Sequence, residues 1–138
     1  MPVVNELIRT EEDGTLSFGD YSLSAKTKLS DYEYKGDKYK VKTFNEITKL
    51  ECNGMFVYES VPGTAVVNMT KNDDEISFLV SGSEDSQITL ELVPEEEYRV
   101  FVDDVNVGKM KTNLGGKLVF SVEFDSEDKL VPVKVVKA

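Results

Sequence analysis

The chain of 138 residues contains no histidine, and this absence removes most of the familiar ways in which a small protein performs catalysis. Serine and cysteine nucleophiles usually depend on an imidazole base, and histidine is also the commonest ligand of transition metals. The single cysteine, Cys52, can form neither an intramolecular disulfide nor a cysteine zinc cluster. Because Lys49 is its only basic neighbour in sequence, we interpret Cys52 as a structural thiol. The residues therefore predict no cofactor and no metal site, and they favour a function other than catalysis.

Carboxylates are the abundant reactive group, with 26 aspartate and glutamate residues. Two carboxylates that face each other across a cleft could hydrolyse a glycosidic bond, but so many acidic residues form chance pairs that the sequence nominates no two of them. The acidic turns at 72–75, 103–104 and 125–128 carry the oxygen ligands that calcium prefers, yet none has the spacing of an EF-hand. We therefore interpret them as ordinary surface turns and place a carboxylate-dependent glycosidase last among the candidate functions.

Three tyrosines close together in sequence form the candidate binding surface, namely Tyr32, Tyr34 and Tyr39. Their amphipathic rings suit a protein interface, and they could also stack on a sugar. Tryptophan, the usual aromatic platform for carbohydrate, is absent from the chain. The alternative is that the three rings cover a sheet and extend their hydroxyl groups into solvent.

The net charge of −10 makes nucleic acid an unfavourable partner, because a phosphate backbone would be repelled. The densest basic stretch contains Lys35, Lys38, Lys40 and Lys42, interleaved with tyrosines and one aspartate. Two interpretations of this stretch stay open. It is either the solvated face of a strand or a strip that binds anions.

Alternating apolar and polar residues predict β-strands along most of the chain. The pattern is clearest where Ile88 and Leu90 alternate with polar residues, and again between Leu118 and Phe124. The segment from residue 43 to residue 54 is compatible with either a short helix or a β-hairpin. A threonine followed three residues later by a glutamate at 43–46 could cap a short helix running towards Leu50. Against this, Asn53-Gly54 favours a tight hairpin turn, and we predict the hairpin.

The C-terminal strands carry further positional signals. Apolar side chains in both phases of 98–102 predict a strand covered on both faces, and therefore an internal one. The change of phase near Gly108 predicts a β-bulge, because glycine supplies the backbone freedom that an extra residue needs. Pro132 lacks an N–H group, so its strand is predicted to lie at a sheet edge, or to be paired through its other side at that point.

These signals together predict an all-β fold, built as an antiparallel β-sandwich or as two small β units side by side, with at most one short helical turn. The loop-like stretch at 81–86 divides the chain into an N-terminal unit, 1–80, and a C-terminal unit, 81–138, which can also form one continuous domain. No apolar run is long enough to span a membrane, and the N-terminus lacks the pattern of a signal peptide. We therefore expect a soluble, cytoplasmic protein with no membrane partner.

Two segments, GMFVYESVPGTAV at 54–66 and GKMKTNLGGKL at 108–118, resemble small uncharacterised all-β proteins of clostridia and related anaerobes. The resemblance extends over nearly the whole chain and implies a bacterial origin. Some of these proteins carry the label "endosialidase". Sialidases grip the sialic acid carboxylate with several arginines, whereas this chain has only Arg9 and Arg99. The resemblance therefore carries over no active-site residue.

The sequence favours a soluble, non-catalytic β module that acts through its surface, either by forming a homo-oligomer or by binding another protein. Strand edges and tyrosines would supply the interface. A carbohydrate-binding module, with a glycan as partner, is the alternative.

Overall fold

The structure, a computed structural model, describes residues 2–126 and 128–138. Within these ranges the chain forms β-strands and turns and contains no helix, which confirms the all-β prediction. The strands are β1 Ile8–Thr10, β2 Leu16–Phe18, β3 Thr27–Tyr34, β4 Asp37–Thr43, β5 Thr48–Cys52, β6 Met55–Val61, β7 Thr64–Lys71, β8 Glu75–Gly82, β9 Ser86–Glu91, β10 Glu97–Val102, β11 Val105–Lys111, β12 Lys117–Val122 and β13 Val131–Lys137. Accordingly, none of the described residues forms a helix long and apolar enough to cross a membrane.

The strands form two antiparallel sheets that pack together as a sandwich. The first sheet has seven strands in the order β1-β2-β7-β8-β13-β10-β11, and the second has six in the order β12-β9-β6-β5-β4-β3. Strands from both predicted units, 1–80 and 81–138, contribute to each sheet. β8 pairs with β13 in the first sheet, and β6 pairs with β9 in the second.

The core lies between the inner faces of the two sheets and is centred on aromatic rings. Phe18, Tyr58 and Phe78 meet edge to face, with centroid separations of 5.3 Å and 5.7 Å on the two sides of Tyr58. Tyr58 is fully buried, and its hydroxyl lies 2.7 Å from the Thr64 hydroxyl. Ser60 makes a second bond to Thr64, also at 2.7 Å. Burial of these hydroxyl groups is therefore compensated by a closed set of hydrogen bonds.

The predicted alternation and the predicted hairpin are both confirmed. Ile88 and Leu90 of β9, and alternate residues of β12, point into the core. Asn53 and Gly54 have φ values of 52° and 80°, as a type I′ turn requires, and they join β5 to β6. The helix that competed for residues 43–50 does not form.

The positions of β10 and the bulge also agree with the predictions. β10 lies between β13 and β11, so it is an internal strand. Val100 pairs with Gly108 and Phe101 pairs with Asn106, which leaves Val107 as the extra residue. Gly108 has a φ of 135°, a conformation that favours glycine. The bulge at Gly108 thus shifts the pairing register between β10 and the edge strand β11 by one residue.

The prediction that the Pro132 strand is an edge is wrong. β13 lies between β8 and β10, and Pro132 stands opposite Leu79 of β8. The Pro132 carbonyl accepts a hydrogen bond of 2.9 Å from the N–H of Asp103, just beyond the end of β10. In an extended antiparallel strand, the N–H and the carbonyl of one residue point towards the same neighbouring strand. The nitrogen of Pro132, which carries no hydrogen, therefore points towards the turn after β10. The strand is paired through its other side, which was the second alternative.

Candidate binding surfaces

No group of three aspartate, glutamate or cysteine side chains is placed to hold a metal ion anywhere in the described ranges. Cys52 is half-buried and its thiol is hydrogen-bonded to the Tyr39 hydroxyl. Burial, and then this bond, raise the pKa of Tyr39 above its usual value. The phenol is therefore neutral at ordinary pH, and nothing in the pair resembles an activated nucleophile.

The three predicted tyrosines share one face of the β3–β4 hairpin, but that face packs against the core. Tyr32 stands opposite Tyr39, and the ring of Tyr34 meets that of Tyr39 edge to face at 5.6 Å. All three rings are half-buried and lie against core residues. The structure thus brings the three side chains together, and the rings of Tyr34 and Tyr39 are not coplanar.

The hydroxyl groups of two of these tyrosines form hydrogen bonds with β1 and with the turn between β1 and β2. Tyr32 and Thr10 share a hydrogen bond of 2.8 Å, and Tyr34 donates one of 2.6 Å to the carbonyl oxygen of Gly14. Their main observable role is to fasten the edge hairpin β3–β4 to the segment around β1 and β2.

Turns at one end of the sandwich enclose a cleft between the two sheets. Tyr34 and Tyr39 line a cavity of about 370 Å³ there, together with Asp37, Lys71 and Asp73. A neighbouring cavity of about 470 Å³ shares Lys71 and Asp73 with the first. Asp37 already accepts a hydrogen bond of 3.0 Å from the side-chain amide of Asn53. The cleft is lined by apolar and polar side chains, and one of the two carboxylates of the first cavity is already hydrogen-bonded within the protein.

A groove of about 630 Å³ lies on the outer face of the seven-stranded sheet. Its apolar floor consists of Leu79, Phe101, Pro132 and Val136, which come from β8, β10 and β13. Leu79 pairs with Pro132, and Phe101 lies one outward position further along, opposite Lys134. Lys134 therefore stands between Pro132 and Val136 on the outer face of β13. All four are half-buried, and no further layer covers them. β10 is thus internal within its sheet, but its outer face is open, unlike the covered face predicted from its sequence.

Basic side chains lie within this groove and beside it, with Lys134 opposite Phe101 and Arg99 opposite Val136. Arg99 is exposed and makes no ion pair with any described residue. Lys134 and Lys137 reach acidic partners only at long range, 3.8 Å from Glu75 and 3.7 Å from Asp74. Although the chain as a whole is strongly acidic, three cationic side chains and one carboxylate, that of Asp104, line the groove.

The sequence does not predict the groove residues as a binding surface. The available signal was Phe101, which is apolar in the phase of β10 opposite to its buried residues. From the sequence alone, that signal predicts burial under a second layer, because the sequence does not reveal that β8 and β13 place apolar residues beside Phe101.

No protein-family model, curated protein or solved structure matches this chain.

Proposed function

We propose that this protein is a non-catalytic β module that binds a protein surface, either a second copy of itself or another protein, through the groove on the seven-stranded sheet. The observation that carries the proposal is the floor of Leu79, Phe101, Pro132 and Val136, which is apolar and open on the solvent side of the sheet.

Antiparallel sandwiches normally place polar side chains on the outer faces of their sheets. Apolar side chains exposed there have an unfavourable contact with water, and groups of them often mark interaction sites. Phe101 supplies the largest ring of the floor and is suited to be the anchor of an interface. The unpaired guanidinium of Arg99 adds a bidentate donor for a carboxylate. A partner with an apolar side chain next to an acidic one complements this surface.

The proposal is tested by comparing two substitutions on opposite outer faces. Phe101→Ser removes the anchor from the groove, and Val119→Ser removes an exposed apolar side chain from the outer face of the six-stranded sheet. Sedimentation velocity over a wide concentration range measures self-association. We expect Phe101→Ser to weaken association by about tenfold or more, as loss of a hot-spot side chain does. Val119→Ser is the matched control and should change it little.

If the wild-type protein stays monomeric at the highest concentration, self-association is excluded and the partner must be a different protein. That form of the proposal is tested by photo-crosslinking from position 101. Equal weakening by both substitutions would contradict the role of the groove.

Glycan binding is the second candidate, and the end cleft is where it would occur. Tyr34 and Tyr39 line that cleft beside Asp37 and Asp73, which could bond sugar hydroxyls. We rank it lower because the two rings meet edge to face and offer no planar platform. A glycan array without signal would remove this candidate.

A further inference from the structure

Three lysines stand directly opposite one another on adjacent strands of the six-stranded sheet. Lys28 of β3 pairs with Lys42 of β4, and Lys42 pairs in turn with Lys49 of β5. We call these three residues the lysine row. Their side chains lie on the outer face of the sheet, since the neighbouring residues in β4 and β5, Val41 and Leu50, are in the core.

The protein does not neutralise this row. None of its three ammonium groups lies within 4.0 Å of a carboxylate of a described residue. The pKa of Lys42 is lowered, first by burial and then by the charges of Lys26, Lys49 and Lys28. Glu59, which stands opposite Lys49 on β6, opposes that shift only in part.

Like charges directly opposite each other destabilise a sheet. The chain has 26 acidic and 16 basic residues, so placing three lysines in one row is not forced by composition. A negative group bound across the row would offset the repulsion between the lysines. Binding would then be favoured by the relief of this repulsion as well as by direct attraction.

We propose that the lysine row binds a short acidic segment of a partner protein. The width of the row supports a short ligand. With strands about 4.8 Å apart, three lysines extend over only about 10 Å. Glu59 then ends the row, and Glu51 stands opposite the next outward lysine, Lys40. A long polyanion such as nucleic acid would have to continue across these carboxylates and over a chain of net charge −10.

An extended acidic peptide fits this strip. Its side chains on one face recur about every 6.7 Å, so two carboxylates lie above the three lysines. The flexible lysine stems can adjust to that spacing. Because the row and the apolar groove lie on opposite outer faces of the sandwich, the two proposals are independent and can fail separately.

The test uses a fluorescein-labelled oligoglutamate peptide and fluorescence anisotropy at about 0.01 M salt, where exposed charges are weakly screened. Substituting the whole lysine row by glutamine should weaken binding about thirtyfold, with about threefold from each lysine. The matched control changes the net charge equally but elsewhere, through glutamine at the exposed residues Lys35, Lys109 and Lys111. It should weaken binding less than about threefold.

Thermal unfolding of both triple variants confirms that each is folded. Absence of peptide binding by the wild type at low salt would overturn the proposal, and so would an equal loss in the two triple variants. Inorganic polyphosphate is the competing probe. Tighter binding of polyphosphate than of oligoglutamate, lost in the lysine-row variant, would overturn the assignment to an acidic protein segment.

Discussion

Replacing Lys42 by glutamine should make the free protein more stable. Its ammonium group stands between Lys28 and Lys49 in the strand register, without a carboxylate partner among the described residues. Most surface substitutions change stability by less than about 0.5 kcal/mol, and most of the larger effects are losses. A gain at this position would therefore be diagnostic of the repulsion.

The magnitude follows from two cross-strand pairs. Each like-charged pair costs roughly 0.2 to 1 kcal/mol, and partial exposure to solvent places these pairs near the lower half of that range. Removing the central charge of the row relieves both pairs. We therefore expect a gain of about 0.5 to 1 kcal/mol in the free energy of unfolding at neutral pH, or a rise in Tm of about 2–4 °C.

The pH dependence has a definite sign. Because the pKa of Lys42 in the folded state lies below its value of 10.5 in the unfolded chain, the unfolded state binds more protons between those two values. Wild-type stability should rise with pH in that window, and the advantage of Lys42→Gln, complete at neutral pH, should shrink there.

Urea unfolding at low salt and at about 1 M salt measures the effect, since the higher salt reduces the Debye length to about 3 Å. The gain should be present at low salt and largely lost at high salt. Lys111→Gln on β11 is the control, because Lys111 faces Glu97 in the register and not another lysine. A loss of stability in Lys42→Gln, or a gain independent of salt, would refute the reasoning.

Three further substitutions test the packing and the electrostatics. Gly63→Ala should cost about 3 kcal/mol or more, because the new Cβ would lie 2.1 Å from a backbone carbonyl oxygen, whereas Gly115→Ala meets no atom closer than 3.5 Å and should be tolerated. Tyr58→Phe should cost about 1–2 kcal/mol in urea unfolding, since it leaves the buried Thr64 hydroxyl with one partner fewer. The pKa of Glu11 is held below 4.5, chiefly by a hydrogen bond from Ser17, so its stabilising effect is present above pH 4.5 and lost as pH falls through the lowered value. Glu11→Gln should therefore be less stable than the wild type at pH 7 and equal to it in strong acid, as pH-dependent unfolding would reveal.

Much of the fold could be predicted because its signals are local. The alternation in β9 and β12 and the Asn53-Gly54 turn each depend on a few consecutive residues. The placement of Pro132 could not be predicted in the same way. Whether a proline interrupts a ladder depends on where the neighbouring strand ends, and β10 ends just where Pro132 faces it.

The binding surfaces depend on contacts between distant segments, so they were largely hidden in the sequence. The groove floor joins residues of β8, β10 and β13, and only Phe101 gave a local hint. The basic stretch around Lys42 was recognised, but the lysine row was not, because it arises from the register of three strands. The tyrosines were correctly grouped on one face, yet their sequence does not show that this face packs against the core.

The most direct measurement of the central claim is site-specific photo-crosslinking from the groove. A photoreactive amino acid replaces Phe101 in the full chain, and in a second variant it replaces Val119 on the opposite outer face, within cells that naturally produce the protein. If the groove binds a protein, position 101 gives a discrete crosslinked species with the mass of a dimer or of a complex with one other protein, and position 119 gives only background. Equal, diffuse crosslinking from both positions, or none from position 101, would contradict that claim.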